Sequence, residues 1–341
     1  MTNSSSKNSS YEPSQQPGIT ADSATTVDDY VGLVRAYLMS LQDSLVACIT
    51  DLATTKQNAA PMFVGDTLNT PGGGLARPRV LADPWDASHR QCGVEKAAVQ
   101  FTHSVGDALP PAATARNPAL AGKPFQALAV SVIVHPHNPY APTTHMNVRF
   151  FAVDAAEPVW YFGGGFDLTP YYGFVEDAKH WHQTAFTAVG NHYPAMKARC
   201  DDYFHISHRN EARGIGGVFF DDFTEGGFNA AFALMQRVGD GLAHGYVPIF
   251  KRRAAMGYGS RERAFQCYRR GRYAEFNLAI DRGTKYGLQS GRRVESVLAS
   301  LPPEAHWHYD YQPEPNTPEA ALYTDFLPPR DWLAAVDNSG D

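Results

Sequence analysis

The densest chemistry in the chain lies between residues 131 and 172. The stretch Ser131-Val-Ile-Val-His-Pro-His-Asn-Pro-Tyr-Ala-Pro-Thr-Thr-His-Met-Asn-Val-Arg149 ends in His145, Asn147 and Arg149 at alternate positions. At a strand's period of two these three share one face, which combines a near-neutral imidazole, an amide and a fixed cation. Such a row is costly to bury without partners, so the face either lines a ligand pocket or lies in solvent. The loop before it carries Pro136, Pro139 and Pro142, which make it stiff and pre-shaped. Farther on, Trp160-Tyr-Phe-Gly-Gly-Gly-Phe-Asp-Leu-Thr-Pro-Tyr-Tyr172 sets Asp167 just beyond three glycines, on an expected turn among aromatics. Bare backbone there permits close approach of a ligand or of another strand. A carboxylate at that point can act as general base or hydrogen-bond acceptor; the bland alternative is a turn cap. The glycines form no G-x-G-x-x-G and no Walker lysine follows, so nucleotide binding has no support.

These residues need elements to hold them. Thr26 and Asp29 form a capping-box pair, and Tyr30, Val34, Leu38, Leu41, Leu45, Ile49 and Leu52 follow at helical spacing. Leu128, Val130, Val132 and Val134 alternate with Ala129, Ser131, Ile133 and His135, as in a half-buried strand. A second strand over 145–153 pairs with it antiparallel and brings His135 near His145. A third strand is expected over 158–162, helices over 175–189 and 194–210, and a strand over 217–221. Helices near 228–242 and over 260–270 come next, and alternation over 273–280 predicts a last strand. Strands on short connections with clustered helices argue for an α+β fold: a large, mostly antiparallel sheet flanked by helices on both faces. One catalytic domain is expected over 26–335, between a disordered tail at 1–25, rich in Ser, Gln, Pro and Asn, and a short tail at 336–341.

Composition narrows the partners. Lys plus Arg is 29 against 35 for Asp plus Glu, a net charge of -6, which speaks against nucleic acid or an anionic membrane. The longest apolar run, 127–134, is too short to span a bilayer. The first arginine is Arg35, with Glu12, Asp22, Asp28 and Asp29 ahead of it, so no mitochondrial presequence or signal peptide is expected and the location is read as cytoplasmic. Cys48, Cys92, Cys200 and Cys267 lie far apart without CxxC spacing and read as reduced thiols.

The two segments above closely resemble the oxygen-dependent coproporphyrinogen-III oxidases. Further matches are Gly93-Val-Glu-Lys96, Cys200-Asp-Asp-Tyr-Phe204, His208-Arg-Asn-Glu211, Arg213-Gly-Ile-Gly-Gly-Val-Phe-Phe-Asp-Asp222, Arg269-Arg-Gly-Arg-Tyr-Ala-Glu-Phe-Asn-Leu278 and Asp281-Arg-Gly-Thr284. The likeness runs from about Asp28 to Trp332. It implies coproporphyrinogen III as substrate, molecular oxygen as co-substrate, no obligatory cofactor, and a homodimer contact drawn from 246–280. It also implies catalytic roles for His145 as proton donor and Asp167 beneath the pyrrole nitrogens. Substrate contacts would fall at Ser131, Asn147, Val148, Arg149, Gly291, Arg292 and Arg293. A divalent metal site, where family members are described with one, would map onto His135, His145, His182 and His208. Three positions depart from the family pattern: Tyr161 for a frequent tryptophan, Ala98 for a glycine, and Arg292 inside a usual Gly-Gly-Arg triplet.

The chemistry suits the residues. Four propionates call for arginine forks, for which Arg149, Arg282, Arg292 and Arg293 are candidates. Four pyrrole N–H groups call for an acceptor such as an ionised Asp167. A rival reading is a tetrapyrrole carrier that keeps the pocket and does no chemistry.

Overall fold

The computed structural model describes residues 26–54, 62–82, 93–109, 120–155, 159–289 and 292–334. The expected tails, Cys92 and Gly291 lie outside them. Helix α1 (Val27–Ala53) opens on the Thr26–Asp29 capping box, and its buried stripe includes Val34, Leu38, Leu45 and Ile49. Each such side chain, fully buried, contributes roughly 1.5–3 kcal/mol. The chain then builds a meander: β1 (Leu68–Thr70), β2 (Gly74–Ala82), β3 (Val94–Gly106), β4 (Phe125–Pro136), β5 (Thr143–Val153) and β6 (Val159–Thr169). Helices α2 (Val175–Val189) and α3 (Tyr193–Tyr203) and the small β7–β8 hairpin (His205–Ile206 and Glu211–Ala212) lead to β9 (Gly216–Phe223). The sheet order is β1-β2-β3-β4-β5-β6-β9, every neighbour antiparallel.

The two faces of the sheet differ in kind. Val130, Val132, Met146, Val148, Phe150, Phe162 and Phe166 point one way and form the main core with α1 and α4 (Gly227–Arg253). The other face carries the polar row and meets α5 (Ser260–Ala279), α6 (Arg282–Gln289) and α7 (Val294–Leu298), with Tyr273 and Ala299 packed on Ala98 and Ile133. A short helical turn, α8 (Pro318–Ala321), brings Glu319 to the Tyr172 hydroxyl at 2.8 Å. The expected α+β architecture is present. Among the described residues no helix is long and apolar enough to cross a membrane.

Several local expectations are corrected. Residues 273–279 are helix, not strand: Tyr273 and Phe276 are buried three apart, and alternation over eight residues does not distinguish the two. Helix α3 stops at Tyr203, because the chain turns through β7 and β8 with Asn210 at φ 50°. Helix α4 runs on to Arg253 through Pro248; the His244 carbonyl that Pro248 leaves without an N–H receives His180 Nε2 at 3.3 Å. Strand β6 continues through all three glycines to Thr169, so Asp167 lies within a strand rather than on a turn. The strands over 68–106 were not expected, although Val99, Phe101 and Val105 alternate with Gln100, Thr102 and Ser104 in β3.

Strand β3 is locked to α5 by Glu95, which is buried and takes both Nη atoms of Arg263 at 2.8 Å and Arg270 Nη1 at 2.7 Å. Burial alone would raise this carboxyl; the two guanidiniums bring it down to about 2. Its folded value thus lies below the unfolded one of about 4.5, so its stabilisation is whole above pH 4.5 and fades as pH falls towards 2. Glu95→Gln is expected to cost on the order of 3 kcal/mol at neutral pH, a gap to wild type that closes in acid. Denaturant unfolding of both proteins across pH checks this; a pH-independent gap contradicts it.

Candidate active site

The polar face is built by register. His145 stands directly opposite Asp167, Asn147 opposite Gly165 and Arg149 opposite Gly163 across β5 and β6. On the outer side Gly217 pairs with Asp167, and Phe219 with Gly165. Ser131 sits beside Asn147 on β4. The glycines therefore leave a bare strip between Asn147 and Arg149 on one side and Phe219 on the other. Gly165 is required there, and Gly163 leaves room for Arg149. A Cβ on Gly165, whose φ is +151°, would meet the Val218 carbonyl oxygen at 2.0 Å. One on Gly163 would meet Arg149 Nε at 2.7 Å, the movable end of a side chain. Gly163→Ala should therefore displace the Arg149 guanidinium and weaken ligand binding while the fold persists. Unchanged affinity in a folded Gly163→Ala protein would mean that the strip does not face the ligand.

At one end of the strip Asp167 is 1% exposed. Its Oδ1 accepts from His145 Nδ1 at 2.9 Å and Arg213 Nη2 at 2.8 Å, and its Oδ2 from the same Nη2 at 2.7 Å. Burial pushes this carboxyl up, but the Arg213 charge and the His145 hydrogen bond overcome it and hold the group below the usual carboxylate range. Arg213, also buried, donates to Asn277 Oδ1 at 3.1 Å and lies over the rings of Phe204, Tyr273 and Phe276 at 4.2, 4.5 and 4.6 Å. An ionised Asp167 requires the proton on His145 Nδ1, which leaves Nε2 to accept or give a proton. The His145 side chain is 23% exposed against 2% for Asp167, so His145 is the more accessible member of the pair.

Four residues along β5, roughly 13 Å at strand rise, lies a second cluster. Arg149 donates to Asn147 Oδ1 at 2.8 Å and to Asp221 Oδ1, and Arg282 Nη2 reaches Asp221 Oδ2 at 2.9 Å. The two guanidiniums are thus ranged side by side, with Arg149 over Phe219 and Arg282 over Tyr203. Tyr203 and Phe219 stack at 4.4 Å, and past the strip Phe125, Phe151 and Tyr161 form a second stacked row. The face is roofed at the His135 end, where Ser300 O accepts from His135 at 3.0 Å, Leu301 O from Lys96 at 2.8 Å and Ser296 O from Gln100 at 2.7 Å. It is more open at the Arg149 end.

The remaining expected residues fall in different places. Arg292 donates to Ser104 Oγ at 3.2 Å on this same face, whereas Arg293 pairs with Asp66 at 3.0 Å and is half exposed. The Val148 side chain is fully buried on the opposite face, so any ligand contact there falls to its backbone. Among the described residues, no three of the four histidines bring ligand atoms within 4.8 Å of one another. His182 is buried between the Ile215 carbonyl and the Tyr193 hydroxyl, and burial lowers it to about 3. His208 pairs with Glu275 at 3.1 Å, and both His135 nitrogens are engaged, by Thr143 and Ser300. Sequence pattern places Arg213 and Asp221 only within the run Arg213-Gly-Ile-Gly-Gly-Val-Phe-Phe-Asp-Asp222 and assigns neither a role. Asp221 could have been noticed as a carboxylate closing an apolar strand run; Arg213 carries no such local signal.

Residues 33–332 match the family described as coproporphyrinogen III oxidase.

Proposed function

The chain belongs to the coproporphyrinogen III oxidase family, and we propose that it uses molecular oxygen to turn two propionates of coproporphyrinogen III into vinyl groups, giving protoporphyrinogen IX. For each propionate, –CH2–CH2–COOH and O2 become –CH=CH2, CO2 and hydrogen peroxide. The two electrons come from the propionate side chain, from a C–H bond and the bond to the departing CO2, and pass through the pyrrole, which is regenerated. His145 Nε2 takes a pyrrole N–H proton, the electron-rich ring adds oxygen, and the bound peroxide takes a side-chain proton and leaves as hydroperoxide. Departure of CO2 then puts its electron pair into the vinyl group and ring. His145 gives its proton back to the pyrrole nitrogen, and a solvent proton completes hydrogen peroxide. Asp167 holds His145 in the required tautomer, and Arg213 keeps Asp167 ionised. The observation that carries this reading is the buried Arg213–Asp167–His145 chain ending at a half-open polar strip.

Arg149 and Arg282, aligned by Asp221, keep N–H donors for propionates that stay on the ring. A reacting carboxylate gripped as firmly would resist becoming neutral CO2, so it is held away from this pair. The aromatic rows supply faces for the macrocycle. Arg292 serves a further propionate at the β3 side. We also propose a homodimer formed through the exposed part of 246–280, where Tyr258 and Leu278 are about half exposed, and a cytoplasmic location.

The test is to supply purified protein with coproporphyrinogen III in air and read porphyrin fluorescence after oxidation of the product. Protoporphyrin is expected. Saturable binding without product would instead make the chain a carrier.

A further inference from the structure

We propose that Cys267, Glu304 and His306 form a binding site for a divalent cation of the zinc class, separate from the catalytic face. One ligand atom from each residue lies within 4.8 Å of the other two. A small inward shift brings a thiolate, a carboxylate and an imidazole around one ion, with a fourth position left to water. Sulfur and nitrogen donors favour zinc or cobalt over calcium or magnesium, which prefer oxygen alone.

The three donors sit on tied backbone. Cys267 is on α5, and the N–H of His306 donates to the Cys267 carbonyl at 2.8 Å. One turn along α5, Gly271 has no side chain where a Cβ would meet the His306 carbonyl oxygen at 2.5 Å. Glu304 faces the His306 ring with one oxygen, Oε1 to Nε2 at 3.3 Å, and accepts from Arg263 at 2.6 Å with the other. Arg263 is itself fixed by Glu95, so it orients Glu304 as an outer-sphere partner orients a metal ligand. Its positive charge is already shared between two carboxylates, and two anionic ligands balance a dication. Burial is graded from a buried sulfur to an imidazole that is 46% exposed, which gives the ion a way in. Binding replaces the Cys267 S–H bond by an S–metal bond and releases one proton to solvent.

The consequence is mechanical. The cation staples α5 to the segment that supplies the Ser300 and Leu301 carbonyls to His135 and Lys96, so it braces the roof of the catalytic face.

Chelator-stripped full-length protein titrated with cobalt(II) tests this. Expected are a near-ultraviolet thiolate-to-cobalt band that saturates at one ion per chain, displacement by zinc, and a zinc-induced rise in melting temperature. Cys267→Ser should remove the band and the rise; Glu304→Gln and His306→Ala, at accessible positions, should weaken binding at least about tenfold. No band, a band that survives in Cys267→Ser, or unchanged affinity in folded His306→Ala would overturn the site. If Cys267→Ser does not fold, the other two variants decide the matter, since both replace side chains with solvent contact.

Discussion

Asp167→Asn is expected to lower turnover at least about a hundredfold, the lower range for disabling an acid–base pair. It should lower the melting temperature too. The amide cannot hold His145 in the Nδ1–H tautomer as a carboxylate does, and it leaves the Arg213 charge buried and uncompensated, an error of about 3–5 kcal/mol. Loss of activity alone would therefore not separate mechanism from folding. A double variant, Asp167→Asn with Arg213→Met, does so. Removing both charges should restore much of the stability, because a buried ion pair replaced by uncharged groups is often near neutral. Turnover should stay low. If the stable double variant works at near-normal rate, Asp167 is structural.

Arg149→Ala is the second large effect, and it should fall on KM. Removing one charge-assisted contact to a propionate costs about 1.5–3 kcal/mol, or roughly a ten- to hundredfold loss of affinity. The melting temperature should move little, because the guanidinium is about a third exposed and Asp221 retains Arg282. Substrate binding followed by fluorescence quenching, with thermal melts alongside, checks both halves. Unchanged affinity would assign Arg149 to solvent; unfolding would assign it to the frame.

Much of this site could be read from local pattern. The period of two over 128–134 and 145–150 placed His145, Asn147 and Arg149 on one face, and β4 and β5 carry them so. Capping chemistry at Thr26 and Asp29 likewise marked the start of α1. What stayed hidden depends on distant residues. Asp167 was expected on a turn because three glycines usually end a strand. Pairing on both sides, by β5 and β9, keeps β6 extended through them. The partner of Asp167, Arg213, is 46 positions away, and nothing in its neighbours announces burial under Phe204, Tyr273 and Phe276. The segment over 273–280 alternates like a strand, yet Tyr273 reaches Ala98 while Phe276 packs on Phe204, contacts that only a helix makes together. Cys267 carried no metal spacing, since its neighbours Glu304 and His306 approach by tertiary folding.

Oxygen dependence is the centre of the account, and a gas-controlled assay tests it most directly. Purified protein and coproporphyrinogen III are mixed in a sealed, oxygen-free cell, oxygen is then admitted, and oxygen uptake, CO2 and peroxide are followed together. The expected result is no turnover before oxygen enters, and afterwards equal molar amounts of oxygen consumed, CO2 released and peroxide formed. Undiminished turnover in the oxygen-free cell would contradict the account.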